Sequence, residues 1–440
     1  MDKRKSEKKK DTQKSNSIRQ EKNIHDFSVR GFADIIPKDS DIWREIIKTG
    51  SLVAELHGFH YMSTPAVESA AFFEKVFGSD KKLTGGRWYS VFGATARERL
   101  VLRPTGLFPM MRSYINHHLG YFSSPLKAFF YGKSFIREAT DKLWPEGEFS
   151  EWGFAVMGDN DPIYDIEIIK SAAHFLKMLK IKKTVLKINA TGCRACAGSY
   201  RDKIRTYWTR EKQNLCKKCA VAQDFGRFLS CDEEGCRTRR ESAPTILDYL
   251  CPNCNNHFKA VLELLEEDGL QYELDNYLIL QENVWNRTVF SIFSQSGVCL
   301  ALGGRFDYLS ELVGGRSIPS VGCVVFTNRL AELLKSCPIE TKEKPKVFFI
   351  AIGDHAKKAS GRLLAMLRDN GVGAIEALGK KSLRVQLKAA ERMKVPVSLL
   401  LGQKEAFEEM VIIRDMRTGA QETVTMKKMI ETVKKKMKEI

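Results

Sequence analysis

Eight of the eleven cysteines in this 440-residue chain fall between Cys193 and Cys254. They come as Cys193-x-x-Cys196, Cys216-x-x-Cys219, Cys231-x4-Cys236 and Cys251-x-x-Cys254. A two-residue gap lets a pair of thiolates turn onto one metal ion, and two such pairs complete a tetrahedron. Eight ligands suffice for two zinc ions. All-cysteine sites leave no coordination position open for a substrate, so the expected role is structural. Sequential pairing (the first two pairs together, then the last two) and interleaved pairing both fit the spacing. His257, three residues past Cys254, is expected at the surface or as an outer contact of the site rather than a ligand. The remaining cysteines, Cys299, Cys323 and Cys337, are scattered among apolar residues. Clustered pairs in a long chain with a sizeable core read as metal sites, not as a secreted disulfide scaffold.

Charge is the second chemical feature. Lys and Arg outnumber Asp and Glu by 71 to 54, a net +17. Residues 1–23 carry nine basic against four acidic side chains, residues 193–254 twelve against eight, and residues 425–440 six against two. These three segments hold 13 of the 17 excess charges. Basic patches attract phosphate polyanions through counterion release. The competing reading is a solubilising surface excess. Arg201, Arg205, Arg210, Lys217, Lys218, Arg237, Arg239 and Arg240, interleaved with the cysteines, suit contacts to phosphate.

The elements that must hold these groups follow from periodicity. At 43% hydrophobic and 28% charged residues the chain can bury a large core. No apolar run approaches the roughly 18 residues of a membrane span, and no apolar stretch follows the basic N-terminus, so a cytoplasmic location is expected. Residues 1–27 read as a disordered basic arm. In Asp41–Leu56 a helical face is expected to carry Ile42, Ile46, Leu52 and Leu56. Strands are expected at Tyr89–Phe92, Leu100–Leu102 and Ala128–Ile136, with a helix over Phe108–Leu119 between them. Strands and helices without a strict βαβ rhythm suggest an antiparallel α+β core spanning 28–189 and 259–336, interrupted by the Cys-rich 190–258. A charged linker, 337–345, leads to strands alternating with helices over 346–440, a separate α/β domain.

Several stretches are similar to one family. Arg30-Gly-Phe-Ala-Asp-Ile-Ile-Pro37 resembles the opening of histidyl-tRNA synthetases, and Gly58-Phe-His-Tyr-Met-Ser-Thr-Pro-Ala-Val-Glu68 their class II motif 1. Leu102-Arg-Pro-Thr-Gly-Leu107 with Arg112-Ser-Tyr-Ile115 resembles LRPEGT…RAYI. Tyr131 to Arg137 resembles motif 2, Gly303-Gly-Arg-Phe-Asp307 resembles GGRYD, and Val321-Gly…Asn328-Arg329-Leu330 resembles motif 3. The Cys-rich unit resembles the insertion of some bacterial members. Lys381-Ser-Leu…Gln386-Leu and Leu401-Gly-Gln-Lys-Glu405 look like the anticodon-binding domain.

The resemblance implies a class II synthetase-like antiparallel-sheet core with a small zinc-binding insertion and a C-terminal anticodon-binding-like domain. It also implies a homodimer and binding to RNA, above all tRNA. The family forms histidyl-adenylate from ATP with magnesium, then esterifies tRNA. By resemblance Arg137 and Arg329 sit at the motif 2 and motif 3 arginines, suited to gripping ATP phosphates. Other positions depart from the pattern. Ala139 stands at the motif 2 carboxylate, Asp141-Lys-Leu-Trp-Pro-Glu-Gly147 at the PQxGRxR loop, and Phe326 where a glycine lets adenosine lie close. Around the histidine pocket, Thr105 replaces a glutamate, Leu107 a threonine, Glu151 a glutamine and Ala155 an acid. Leu280 stands at a catalytic arginine, and Val284 and Trp285 at two tyrosines; Arg305 is a further pocket position. Each lost hydrogen bond costs roughly 1–3 kcal/mol. Four or five such losses exceed the ~8 kcal/mol of micromolar binding. The expected function is therefore RNA binding with histidine activation lost or very weak. The alternatives are an active ligase whose pocket is rebuilt from Glu151, Glu148 or Trp285, and a regulatory subunit of ATP phosphoribosyltransferase. The C-terminal domain and the basic Cys-rich unit speak against the latter.

Overall fold

The computed structural model describes residues 27–77, 87–93, 95, 98–121, 123–139, 143–222, 225–231, 233–280, 284–335, 346–376 and 382–438. The expected basic arm (all but Phe27), Asp141, Lys142, the linker 337–345 with Cys337, and Lys381 lie outside these residues. The chain divides into two units, Met1–Pro338 and Ile339–Ile440.

The first unit is built on an eight-stranded sheet and a three-stranded one. Its strands are β1 (His60–Tyr61), β2 (Val67–Ser69), β3 (Ser90–Phe92), β4 (Arg99–Leu102), β5 (Leu126–Ile136), β6 (Gly147–Met157), β7 (Thr184–Gly192), β8 (Glu273–Leu274), β9 (Asn286–Ser294), β10 (Cys299–Arg305) and β11 (Ser320–Phe326). Its helices are α1 (Ser40–Leu56), α2 (Ala70–Phe77), α3 (Leu107–Asn116), α4 (Ile163–Met178), α5 (Arg194–Glu211), α6 (Lys217–Ala220), α7 (Gly226–Leu229), α8 (Glu234–Glu241), α9 (Pro252–Glu267), α10 (Leu309–Leu312) and α11 (Thr327–Lys335). The large sheet runs β1-β5-β6-β11-β10-β9-β7-β8, and β5 through β7 pair antiparallel throughout. β5 and β6 pair from Leu126↔Met157 to Ile136↔Gly147.

Both faces of β6 are covered, which is why it reads as a near-continuous apolar run. Alternation sends Trp152 toward α1 and α4, where it stacks on Phe129 and meets Phe175. Phe149, Ala155 and Met157 point the other way, into a core completed by α2 and α3. Glu151, in the same register, accepts from that side. The α1 face differs from the expectation. Ile46, Thr49, Gly50, Val53 and Ala54 are buried, while Leu52 and Leu56 are exposed. The reason is Trp152: a Cβ at Gly50 would come within 2.8 Å of its ring, so the helix docks on its glycine side.

The second unit is doubly wound. Its strands are β12 (Val347–Ala351), β13 (Ala374–Glu376), β14 (Val397–Leu401), β15 (Met410–Asp415) and β16 (Gln421–Thr425). Its helices are α12 (Asp354–Asp369), α13 (Leu383–Arg392), α14 (Gln403–Phe407) and α15 (Met429–Lys438). Strand order is β13-β12-β14-β15-β16, the first three parallel. Val347, Phe349 and Ala351 join α12 and α15 in one core; Phe348 and Ile350 join Ala390 of α13 in another. Helices on both faces explain why β12 is buried at every position. No helix among the described residues is long and apolar enough to cross a membrane.

Candidate functional site

The α2/α3 side of the large sheet gathers most of the positions singled out above. Glu151 is fully buried. Its Oε1 accepts from Thr105 Oγ1 at 3.0 Å, from the Gly106 amide at 2.6 Å and from Ser134 Oγ at 2.6 Å. Burial raises the Glu151 carboxyl above the usual range, against the pull of those donors and of the Arg103 guanidinium. Thr105 Oγ1 in turn accepts the Leu107 amide at 3.2 Å. Every polar group here is thus satisfied by the protein itself. Around it Ala155, Leu280, Val284 and Trp285 are buried in one hydrophobic cluster. The Trp285 ring lies edge-to-face on Phe108, centroids 5.4 Å apart, and on Phe306 at 6.1 Å.

A second ring cluster forms at the end of β11. Phe326 is fully buried between Trp144 at 5.5 Å and Phe149 at 5.9 Å. Arg329, on α11, sets its guanidinium 4.7 Å from the Phe326 centroid. Its Nη1 donates to the Leu143 and Cys299 carbonyls, both at 2.6 Å. Arg137, past the end of β5, is half exposed and lies 3.7 Å from the Glu138 carboxylate. The structure therefore brings Thr105, Glu151, Ala155, Leu280 and Trp285 to one face. Arg329 stands beside the second ring cluster, and Arg137 projects toward solvent.

Arg305 does not belong with them. Its side chain is completely buried on the end of β10, with Nη1 2.6 Å from Asp165 Oδ2, Nε 3.2 Å from Asp307 Oδ1 and Nη2 donating to the Asp159 carbonyl at 2.8 Å. Asn286 Nδ2 and the Ser320 amide donate to Asp307. Although burial opposes it, Arg305 and His257 hold the Asp165 carboxyl below the usual carboxylate range. His257 is also a correction. It is buried, not at the surface, with Nε2 3.4 Å from Asp165 Oδ1. Sequence reading missed this network: Asp165 lies 140 residues from Arg305 and carries no motif.

The cysteines form two sets, Cys193/Cys196/Cys251/Cys254 and Cys216/Cys219/Cys231/Cys236, each with all four sulfurs within 4.8 Å of one another. The pairing is nested, neither sequential nor interleaved. The cause is topological: the chain leaves the core at the end of β7 and returns at the start of α9, so the first and last pairs meet at the base. Observed S–S separations in the base set are 3.5, 3.8 and 3.9 Å. A tetrahedron with metal–sulfur bonds of ~2.3 Å has edges of about 3.8 Å, so either set can hold a metal ion. Burial opposes ionisation of the Cys193 thiol, but hydrogen bonds from the Cys196 and Ala195 amides bring it down to about 7; burial pushes Cys254 up. Arg194 ties the base to the core, bridging to Glu311 at 2.8 Å and lying 4.0 Å from the Tyr308 ring centroid.

Comparison with known proteins places this architecture. A family model for histidyl-tRNA synthetase matches residues 31–195, and an anticodon binding domain model matches residues 346–436. The histidine–tRNA ligase of Natranaerobius thermophilus is 31% identical over 413 residues, covering 92% of this chain and 98% of the relative. The chain belongs to the histidyl-tRNA synthetase family. The histidine–tRNA ligase of Aquifex aeolicus is likewise 31% identical, covering 90% and 98% of the two chains. The apo histidyl-tRNA synthetase of S. aureus superposes with a TM-score of 0.75 at 24% identity, covering 92% of this chain and 99% of that one. A Bacillus halodurans structure described as an ATP phosphoribosyltransferase regulatory subunit/histidyl-tRNA synthetase shares the fold with a TM-score of 0.60 at 18% identity, covering 83% and 97%. The large sheet is thus the class II synthetase-like core, and the second unit the anticodon-binding domain of the family.

The buried acid gives a pH test. Glu151 has a raised folded-state pKa, so the stability linked to it is full below the unfolded pKa and is lost as pH rises through the folded one. Glu151→Gln keeps an acceptor for Thr105, Gly106 and Ser134 and removes that loss. The variant is expected to melt higher than the parent at pH 8 and to converge with it near pH 4, read by thermal melts across that range. A parent–variant difference that is flat with pH contradicts the assignment.

Proposed function

We propose that this chain is a histidyl-tRNA synthetase-like protein that binds tRNA or another structured RNA through retained surfaces, with histidine activation lost. One observation carries the reading: the positions that would meet histidine and adenosine are filled by the protein's own rings and internally paired polar groups. Trp285, Leu280 and Ala155 are buried in the hydrophobic cluster. Phe326, the last residue of β11, packs between Trp144 and Phe149, and Arg329 is spent on two carbonyls and a ring. Supporting the RNA side are the anticodon binding domain match and the basic helices of the Cys-rich unit. The two cysteine sets would each hold a structural zinc, and the family's homodimer is the expected assembly. Zinc would supply tetrahedral cross-links, while the chain's own Arg237, Arg239 and Lys217 would contact phosphate.

Histidine-dependent ATP–pyrophosphate exchange is expected to be at background for the full chain. Robust exchange would sink this reading in favour of a divergent histidine–tRNA ligase, the reading favoured by the names of the relatives at about 30% identity. Filter binding of unfractionated tRNA is expected to saturate, and to weaken once metal is stripped.

A further inference from the structure

We infer that Cys216 and Cys231 form an oxidation site, which peroxide closes to a disulfide that opens the tip of the Cys-rich unit and spares its base. The tip set, Cys216/Cys219/Cys231/Cys236, is not uniform in exposure. Cys219 and Cys236 are fully buried, whereas Cys216 and Cys231 are partly exposed. The two reachable sulfurs come from different cysteine pairs, yet they face each other at 3.9 Å. The buried two are engaged by backbone. Cys219 Sγ donates to the Arg227 carbonyl at 3.7 Å, and Cys236 Sγ accepts the Cys216 amide at 3.3 Å. An oxidant arriving from solvent therefore meets Cys216 or Cys231 first, and the other is the reachable neighbour that answers. The step balances with hydrogen peroxide as the oxidant. One thiolate attacks a peroxide oxygen; the O–O bond breaks, leaving a sulfenic acid and a hydroxide. The second thiolate attacks that sulfur; the S–S bond forms, the S–OH bond breaks and a second hydroxide leaves. Two protons from solvent turn the hydroxides into water. Each sulfur gives up one electron, and the peroxide takes both.

The base set offers a matching pair, Cys193 and Cys251, also partly exposed and also 3.9 Å apart. What differs is the backbone behind the sulfurs. A disulfide needs its sulfurs at about 2.05 Å, so the two segments must draw together. Cys193 stands between β7 and the 18-residue α5, and Cys251 starts the 16-residue α9. Cys216 stands before α6, and Cys231 lies two residues past α7, helices of four residues each. Single-turn helices with few internal bonds yield where a sheet strand and long helices do not. In the oxidised tip only Cys219 and Cys236 remain as thiolate ligands, too few for a structural zinc. Cys219 is on α6 and Cys236 on α8, so loss of the ion unties the helices that carry Lys217, Arg237 and Arg239. The site stands on the sulfur geometry; only its effect on RNA rests on the RNA-binding reading above.

The test uses the full chain, incubated with zinc and then with a small molar excess of hydrogen peroxide. Zinc release is read with a coloured chelator, and disulfides by mass spectrometry after acid quenching and alkylation. One zinc per chain is expected to leave, with a peptide pair joined through Cys216 and Cys231 and the base cysteines still alkylated. Dithiothreitol with added zinc is expected to reverse both changes. Cys231→His keeps four ligands, as in sites of three cysteines and one histidine, but cannot form the bond. It is expected to hold its zinc at the dose that empties the tip of the parent. A first disulfide between Cys216 and Cys219 or between Cys193 and Cys251 overturns the site, as does zinc loss from Cys231→His at the parental rate. A chain that binds no zinc strikes the zinc reading, while the disulfide map still decides this one. Filter binding of tRNA is expected to weaken on oxidation and to recover on reduction with zinc. A parent that binds no tRNA strikes the RNA-binding reading alone, since the disulfide map does not depend on RNA.

Discussion

Arg305→Met is expected to destabilise the Met1–Pro338 unit by roughly 3–5 kcal/mol, the usual cost of removing one partner from a buried ion pair. The geometry leaves little room for relief. The Arg305 side chain is completely buried, and its loss strands Asp165 and Asp307 where solvent does not reach. Asp307 keeps close donors from Asn286 and Ser320, whereas the contact left to Asp165 from His257 is long, at 3.4 Å. The penalty is therefore placed mainly on Asp165. Its sign with pH follows. In the parent protein the Asp165 pKa is lowered, so its stabilisation is present above the unfolded carboxylate value and is lost as pH falls through the folded one. In the variant the same carboxyl is buried without its cation, and acid relieves it. The gap between parent and variant should be widest near pH 7 and should narrow as pH falls toward about 4, because carboxyls buried without a cation protonate above the ordinary carboxylate value. Denaturant melts followed by tryptophan fluorescence measure it. A loss under 1 kcal/mol at pH 7 would mean that water or a rearranged side chain reaches the network. Adding Asp165→Asn to Arg305→Met should recover part of the loss, as coupled neighbours do.

This network also marks the limit of what the residues reveal in order. Gly303-Gly-Arg-Phe-Asp307 was legible as a motif, but a motif does not say whether its arginine faces a ligand or the core. Here the long-range partner, Asp165, comes from α4 and is itself met by His257 of α9, and only folding brings them together. The buried ring cluster was half legible. Apolar types at Ala155, Leu280 and Trp285 foreshadowed their burial together. That the rings would close over the space, Trp285 on Phe108 and Phe306 and Trp144 on Phe326, depended on side-chain directions that spacing does not fix. The alternation of strands and helices in the anticodon-binding domain was legible because β12 is a continuous apolar run and glycines, Gly353 and Gly402, follow β12 and β14. On α1 the reading failed, because hydrophobic type was weighed and Gly50 was not. A helix docks where its backbone can approach, and the bulk of Trp152 made glycine the contact.

The largest single effect is expected from the base set of cysteines. The hydrophobic cluster of the Cys-rich unit holds Tyr200, Ile204, Tyr207, Trp208, Leu215, Phe228, Leu229 and Ile246, too few apolar groups to order about 60 residues alone. Small units of this kind depend on metal, and a structural zinc contributes about 10–16 kcal/mol in isolated fingers at neutral pH. The nested pairing makes the two sets unequal. The base set closes the long loop from Cys196 to Cys251, the tip set only the short one from Cys219 to Cys231. By loop-closure entropy alone the longer closure is worth about 1 kcal/mol more. It also fixes both chain crossings beside β7 and α9, which the tip set does not touch. Cys193→Ser/Cys251→Ser should therefore cost both metals and expose residues 194–250 to protease. Cys216→Ser/Cys231→Ser should cost one metal and expose only the tip, α6 to α8. Zinc per chain by atomic emission and the cleavage map by mass spectrometry read the two outcomes separately. In both variants the core should persist, since Arg305, Asp165 and His257 lie below the base set and hold the start of α9 by ionic contacts rather than by sulfur. If instead the tip variant loses both metals, the hierarchy runs from tip to base, and the insertion folds as one unit that the core only carries.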